Sequence, residues 1–112
     1  MPKKFGLAAS EIKQLTPGRG SCLATDHITV EMRPVRFMYR ELPDDDVDSG
    51  WRFFSGEEPQ EYVDDPANLG IYNVNTIANY DPAIIPHLDA PVFSAFERFP
   101  DTNEFVAVPF AQ

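Results

Sequence analysis

The segment from Asp44 to Asp65 constrains this chain most, because it sets an aromatic strand between two acidic loops. Trp51, Arg52, Phe53 and Phe54 form its centre. Nine carboxylates flank them: Asp44, Asp45, Asp46 and Asp48 before the strand, and Glu57, Glu58, Glu61, Asp64 and Asp65 after it. Large aromatic side chains call for a core, whereas carboxylates call for solvent, cations or a basic partner. A fold that accepts this segment has to bury the strand and keep both of its ends wet.

The neighbouring residues supply partners for that strand. Val35, Phe37 and Tyr39 alternate with Arg36, Met38 and Arg40, and Trp51, Phe53 and Ser55 alternate with Arg52 and Phe54. This period of two marks half-buried strands. The loop between them, Glu41 to Gly50, holds Pro43, the aspartates and a Ser-Gly pair, so an antiparallel hairpin with a long acidic tip is expected. Ser21 to Thr25 reads as a further short strand. Phe93 to Phe99 and Phe105 to Pro109, joined by an Asp101-Thr102-Asn103 turn, read as a second hairpin.

Helical signals are weaker. Ser10 can cap a short helix carrying Ile12 and Leu15 on one face, ended by Thr16-Pro17-Gly18. Asn73 can cap a turn in which Val74, Ile77 and Ala78 make an apolar stripe. Asp81-Pro82 opens a third turn through Ala83, Ile84 and Ile85 that Pro86 closes. The proline-rich middle, Pro59 to Pro91, is therefore expected as short helical turns packed over a sheet. With 112 residues, 43% hydrophobic and 24% charged, the composition is that of one globular domain spanning residues 1–112. The expected fold class is α+β, with a mainly antiparallel sheet of about five strands and short helices on it. Phe37, Tyr39, Trp51, Phe53, Ile71, Ile77, Ile84 and Phe96 are the expected core.

Charge narrows the function classes. Residues 1–40 carry seven Lys/Arg against three Asp/Glu, and residues 41–112 carry two against fifteen, for a net charge of −9. Nucleic acid and acidic membranes would be repelled by the larger part, while a basic protein would be steered towards it. No apolar run approaches the roughly 18 residues that cross a bilayer, and Phe5 to Ala9 is too short for a secretory core. The single Cys22 excludes an internal disulfide and fits a reducing compartment, so a cytoplasmic location is expected.

Catalytic and metal motifs fail on inspection. Asp44, Asp46 and Asp48 have the first-third-fifth spacing of a calcium loop, but Ser49 stands where that loop needs glycine and Ser55 where it needs glutamate. Cys22, His27 and His87 are scattered, with no ligand pair among them. Both histidines are expected at surface or locally hydrogen-bonded positions, and Cys22 in the core. Gly18-Arg19-Gly20-Ser21 lacks the lysine and spacing of a phosphate loop, and no nucleophile elbow surrounds Ser49 or Ser55. Neither a cofactor nor a structural metal is expected. Trp51 is expected as a core anchor, with Arg52 paired to a neighbouring aspartate.

Several stretches together carry a resemblance. They are Val35 to Glu41, Asp48 to Gly56, Glu61-Tyr62, Asp65-Pro66, Asn68 to Tyr72, Asn75 to Pro82 and Ser94 to Arg98. Over about residues 21–98 the chain resembles a small bacterial family, first catalogued as a domain of unknown function and later assigned to the predicted immunity proteins of polymorphic toxin systems. The resemblance implies a small α+β protein that neutralises a toxin by direct binding, and it brings no catalytic residues. Charge clustering then nominates Asp44, Asp45, Asp46, Asp48, Arg52, Glu57, Glu58 and Glu61 as one edge of a surface for a protein partner, a basic toxin by complementarity. The alternative is a small enzyme, or a ligand- or metal-binding domain, with a pocket near Trp51 and the acidic loops.

Overall fold

The computed structural model describes residues 3–110. Six strands form one mixed sheet: β1 (Ser21–Thr25), β2 (Phe37–Arg40), β3 (Asp48–Phe54), β4 (Leu69–Asn73), β5 (Ala95–Arg98) and β6 (Phe105–Val108), in the order β4-β1-β3-β2-β5-β6. β1 and β3 run parallel and every other neighbouring pair is antiparallel. Three short helices join them: α1 (Asp26–Thr29), α2 (Gln60–Val63) and α3 (Val74–Tyr80), with 3-10 turns at Ala9–Glu11, Pro66–Asn68 and Pro82–His87. Both expected hairpins form.

One face of the sheet is covered and the other is open. On the covered face Cys22, Ala24, Met38, Trp51, Phe53 and Phe105 pack against Ile28 of α1, Val74, Ile77 and Ala78 of α3, and Ile84 and Leu88 beyond it. Burying a side chain of this size is worth about 1.5–3 kcal/mol, so this layer holds the domain together. Trp51 anchors it and donates its indole N–H to the Leu88 carbonyl at 3.3 Å.

The strand register corrects part of the expected core. Met38 faces Phe53 and Arg40 faces Trp51 across β2 and β3, which turns Phe37 and Tyr39 to the open face beside Phe54 and Arg52. Those two aromatics, and Phe96, are only half-buried. The β2 residue that reaches the core is Met38. Ile71, also expected inside, is 75% exposed, because it lies in edge strand β4, opposite Leu23 on the open face. β4 itself was read as part of a helical region; its five uncharged residues pair along the whole of β1.

The expected helix from Ser10 does not form beyond the turn Ala9–Glu11, for an identifiable reason. Asn75 and Asn79, four apart on α3, take up the backbone that a helix would have used. Asn75 accepts from the N–H groups of Leu15 and Thr16 at 2.8 Å each, and both asparagines donate to the Lys13 carbonyl. Asn73 does cap α3, accepting from Asn75 N–H, and Asp81 caps the following turn by accepting from Ala83 N–H. That turn runs one residue past Pro86, to His87.

β3 carries an irregularity that positions everything near it. Its register against β1 slips by two residues between Ser21↔Asp48 and Leu23↔Arg52. Gly50 within the slip has φ +89°, and a Cβ there would stand 2.2 Å from the Glu41 carbonyl oxygen. Gly18 has a similar φ of +81° but open space around it. The left-handed conformation alone costs about 1–2 kcal/mol for an L side chain. In urea titrations Gly18→Ala should lose about that much, and Gly50→Ala clearly more; equal losses would mean that the approach of Glu41 is unimportant.

Candidate partner-binding face

The two acidic loops lie at opposite ends of β3, so they border the open sheet face from two sides and do not form one continuous edge. The eight nominated residues also divide into two groups by where their charges point. Asp48, Arg52 and Glu58 turn inward, whereas Asp44, Asp45, Asp46, Glu57 and Glu61 are exposed.

Arg52 is the hub at one end. Its side chain is 3% exposed, donates to both Asp48 oxygens at 3.0 and 2.9 Å, and donates through Nε to Glu41. Asp44 stands 3.8 Å away and is 85% exposed. Asp48 also accepts from the N–H groups of Asp44 and Gly50. The Arg52 hydrogen bonds hold the Asp48 carboxyl well below the usual carboxylate range, against the opposing effect of burial. Burial pulls the Arg52 guanidinium down, but Asp48 and Glu41 more than compensate and leave it raised. This network folds the acidic hairpin tip over one end of the open face.

Glu58 organises the other end. Its carboxylate accepts from Thr25 Oγ1 and from the N–H groups of Ser55 and Gly56, and its side chain is almost fully buried. Burial raises its pKa, yet the hydrogen bonds from Thr25 and Ser55 bring it below the ordinary value. His27 Nδ1 shares a hydrogen bond with Ser55 Oγ at 2.8 Å and stands 3.7 Å from the same Glu58. Ser, His and Glu thus meet in space, although no spacing among Ser55, His27 and Glu58 signals it. Their arrangement is not that of a charge-relay triad, in which acid and nucleophile flank opposite ring nitrogens. Here both meet Nδ1, and Ser55 is fully buried. His27 is accordingly a buried histidine, locally bonded and packed in a tilted arrangement against Tyr62 at 4.7 Å. His87 packs between Phe96 and Phe105, and burial pushes its pKa down. Cys22 is in the core, where burial pushes its thiol up.

Between the two ends runs a path of aromatic rings, two of which, Phe37 and Tyr39, are expected core residues. Phe93 meets Phe110 at 5.3 Å, Phe110 meets Tyr39 at 5.7 Å, Tyr39 stacks on Phe54 at 5.7 Å, and Phe54 meets Phe37 at 6.0 Å. Shallow cavities flank the path. One of about 290 Å³ lies under Asp44 and Asp45 beside Arg52 and Leu23, and one of about 360 Å³ lies between Phe37, Glu57 and Glu97. The first is on the opposite side of the sheet from the buried Trp51, so the pocket expected near Trp51 and the acidic loop is separated from Trp51 itself. Among the described residues no group of three His, Cys, Asp or Glu side chains is placed to hold a metal ion, and no helix is long and apolar enough to cross a membrane.

The fold defines a small α+β domain with one covered and one open sheet face. Residues 22–109 match the family model of the immunity protein Imm33 domain, and the chain belongs to that family of immunity proteins. The match extends past the segment 21–98 that carried the resemblance. No curated protein and no solved structure matches the chain. Family membership implies a protein partner, a toxin.

The Arg52–Asp48 pair makes stability depend on acid. A carboxyl held below its ordinary 3.8 stabilises the fold above that pH, and the contribution is lost as pH falls towards the folded-state value. Denaturation midpoints of the parent protein should therefore drop steeply below about pH 4. Asp48→Asn should be less stable at neutral pH and lose less on acidification; parallel pH profiles would remove Asp48 from the account.

Proposed function

We propose that this protein neutralises a toxin by binding it directly and without catalysis, in the cytoplasm, and that the toxin presents a basic surface. The observation that carries this reading is the set of exposed carboxylates at both ends of β3. Asp44, Asp45 and Asp46 at one end and Glu57 and Glu61 at the other face outward, on a chain of net charge −9. Asp48, Arg52 and Glu58 hold the loops in place and act on the partner only through that positioning. Clustered like charge destabilises a free domain, and a cationic partner relieves it while being steered to the site.

Co-expression of this chain with its cognate toxin provides the test. Protection should require equimolar protein, with the two chains co-purifying; protection by far less than an equimolar amount would mean turnover and overturn the non-catalytic reading. Replacing Asp45, Asp46 and Glu57 together by Asn, Asn and Gln should slow association several-fold at low salt while dissociation changes little. Unchanged association would leave the carboxylates as a solubilising surface.

A further inference from the structure

We propose that the open face of the sheet is the contact surface and that its partner is arginine-bearing: guanidinium groups stack on the ring path from Phe93 to Phe37 while the bordering carboxylates pair with them. The proposal deepens the toxin-binding reading by naming the chemistry of that same site, and it is tested without the toxin.

Three observations carry it. First, β2 and β3 turn Phe37, Tyr39 and Phe54 away from the core, and the ring path continues to Phe110 and Phe93. Phe37, Tyr39, Phe54 and Phe110 are half-buried and Phe93 is exposed, so the path presents ring faces and edges to solvent along the open side. Second, Phe93 has φ +72°, a strained conformation for a non-glycine residue, costing of order 1–3 kcal/mol. The residue is nevertheless 51% exposed, so burial within the chain does little to offset the strain. Its N–H donates to the Arg40 carbonyl at 2.6 Å, which fixes the ring at the end of the path. Third, outward carboxylates border the path on both sides, with exposed Asp44 at the Arg52 network beside Tyr39 and exposed Glu97 opposite Phe37 in the register.

Rings and carboxylates together suit one kind of group. A lysine ammonium would pair with the acids but gain less from the rings, whereas a guanidinium stacks on an aromatic face and donates in-plane to a carboxylate. The chain already uses the stacking half of this arrangement internally, with Arg40 over Trp51 at 5.7 Å and Arg98 over Phe105 at 4.8 Å. An apolar partner surface without cations would leave the carboxylates desolvated and unpaired, which disfavours a second copy of this acidic chain.

The probes are nona-arginine and nona-lysine peptides, equal in charge, titrated into the full chain at moderate salt. Nona-arginine should bind about threefold tighter or more, with the largest NMR shifts at the rings of Phe37, Tyr39, Phe54 and Phe93. The Phe93→Gly, Tyr39→Leu double variant should bind the two peptides equally. Phe93→Gly alone should keep or raise the thermal midpoint, since glycine is at ease at that φ, and should already weaken the arginine preference, a loss that unfolding does not explain. Equal binding of both peptides by the parent, shifts confined to α3 and the covered side, or self-association through Phe93 in sedimentation would each overturn the proposal. Failure here with an equimolar toxin complex intact would leave toxin binding standing and move it to another face.

Discussion

The rest of the structure depends on one buried cation. Arg52 sits in the central strand with its guanidinium almost excluded from water, and removing an ion from water costs several kcal/mol unless excellent partners receive it. Asp48 and Glu41 are those partners, and both belong to the hairpin that links β2 to β3. Satisfying Arg52 therefore draws the acidic loop down onto the open face, and the loop can come that close only because Gly50 leaves room for the Glu41 carbonyl. Alternation along β3 then does the remainder. With Arg52 on the open face, Trp51 and Phe53 are committed to the covered one, where α3 and the turn after it complete the core.

Much of this architecture was legible in the residues. Period-two alternation located β2, β3, β5 and β6, and the Asn73 and Asp81-Pro82 caps located α3 and the turn that follows. What alternation did not supply was which side faces in. In β2 both sides are apolar enough to serve as core, and aromatic bulk favoured Phe37 and Tyr39. The pairing of Met38 with Phe53 decided otherwise. β4 was missed because prolines on either side of it resemble turn chemistry, and because its pairing with β1 is a long-range contact with no local signature. The N-terminal helix was lost to tertiary competition from Asn75 and Asn79.

The charged residues show the same limit more sharply. Sequence clusters Asp44, Asp45, Asp46 and Asp48 together, and likewise Glu57, Glu58 and Glu61, but only the fold distinguishes the members that hold a loop from those that face solvent. Asp48 and Glu58 resemble their neighbours in sequence and differ from them entirely in environment, one bonded to Arg52 and the other to Thr25 and Ser55. The exposed remainder borders a ring path composed of residues that would ordinarily be expected inside. Phe37, Tyr39 and Phe54 on the open side, with acids at its margins, are the basis of the proposed arginine-bearing partner.

The most direct test of the Arg52 account is a double-mutant cycle in urea with Arg52→Met, Asp48→Asn and the two combined. Arg52→Met leaves the inward-turned Asp48 without its cation and should cost about 3 kcal/mol or more, whereas Asp48→Asn, which leaves Arg52 its bond to Glu41, should cost less. The combined variant should cost clearly less than the sum, because no Asp48 charge is then left uncompensated. Strictly additive losses would contradict the account and mean that the acidic loop is held by something other than Arg52.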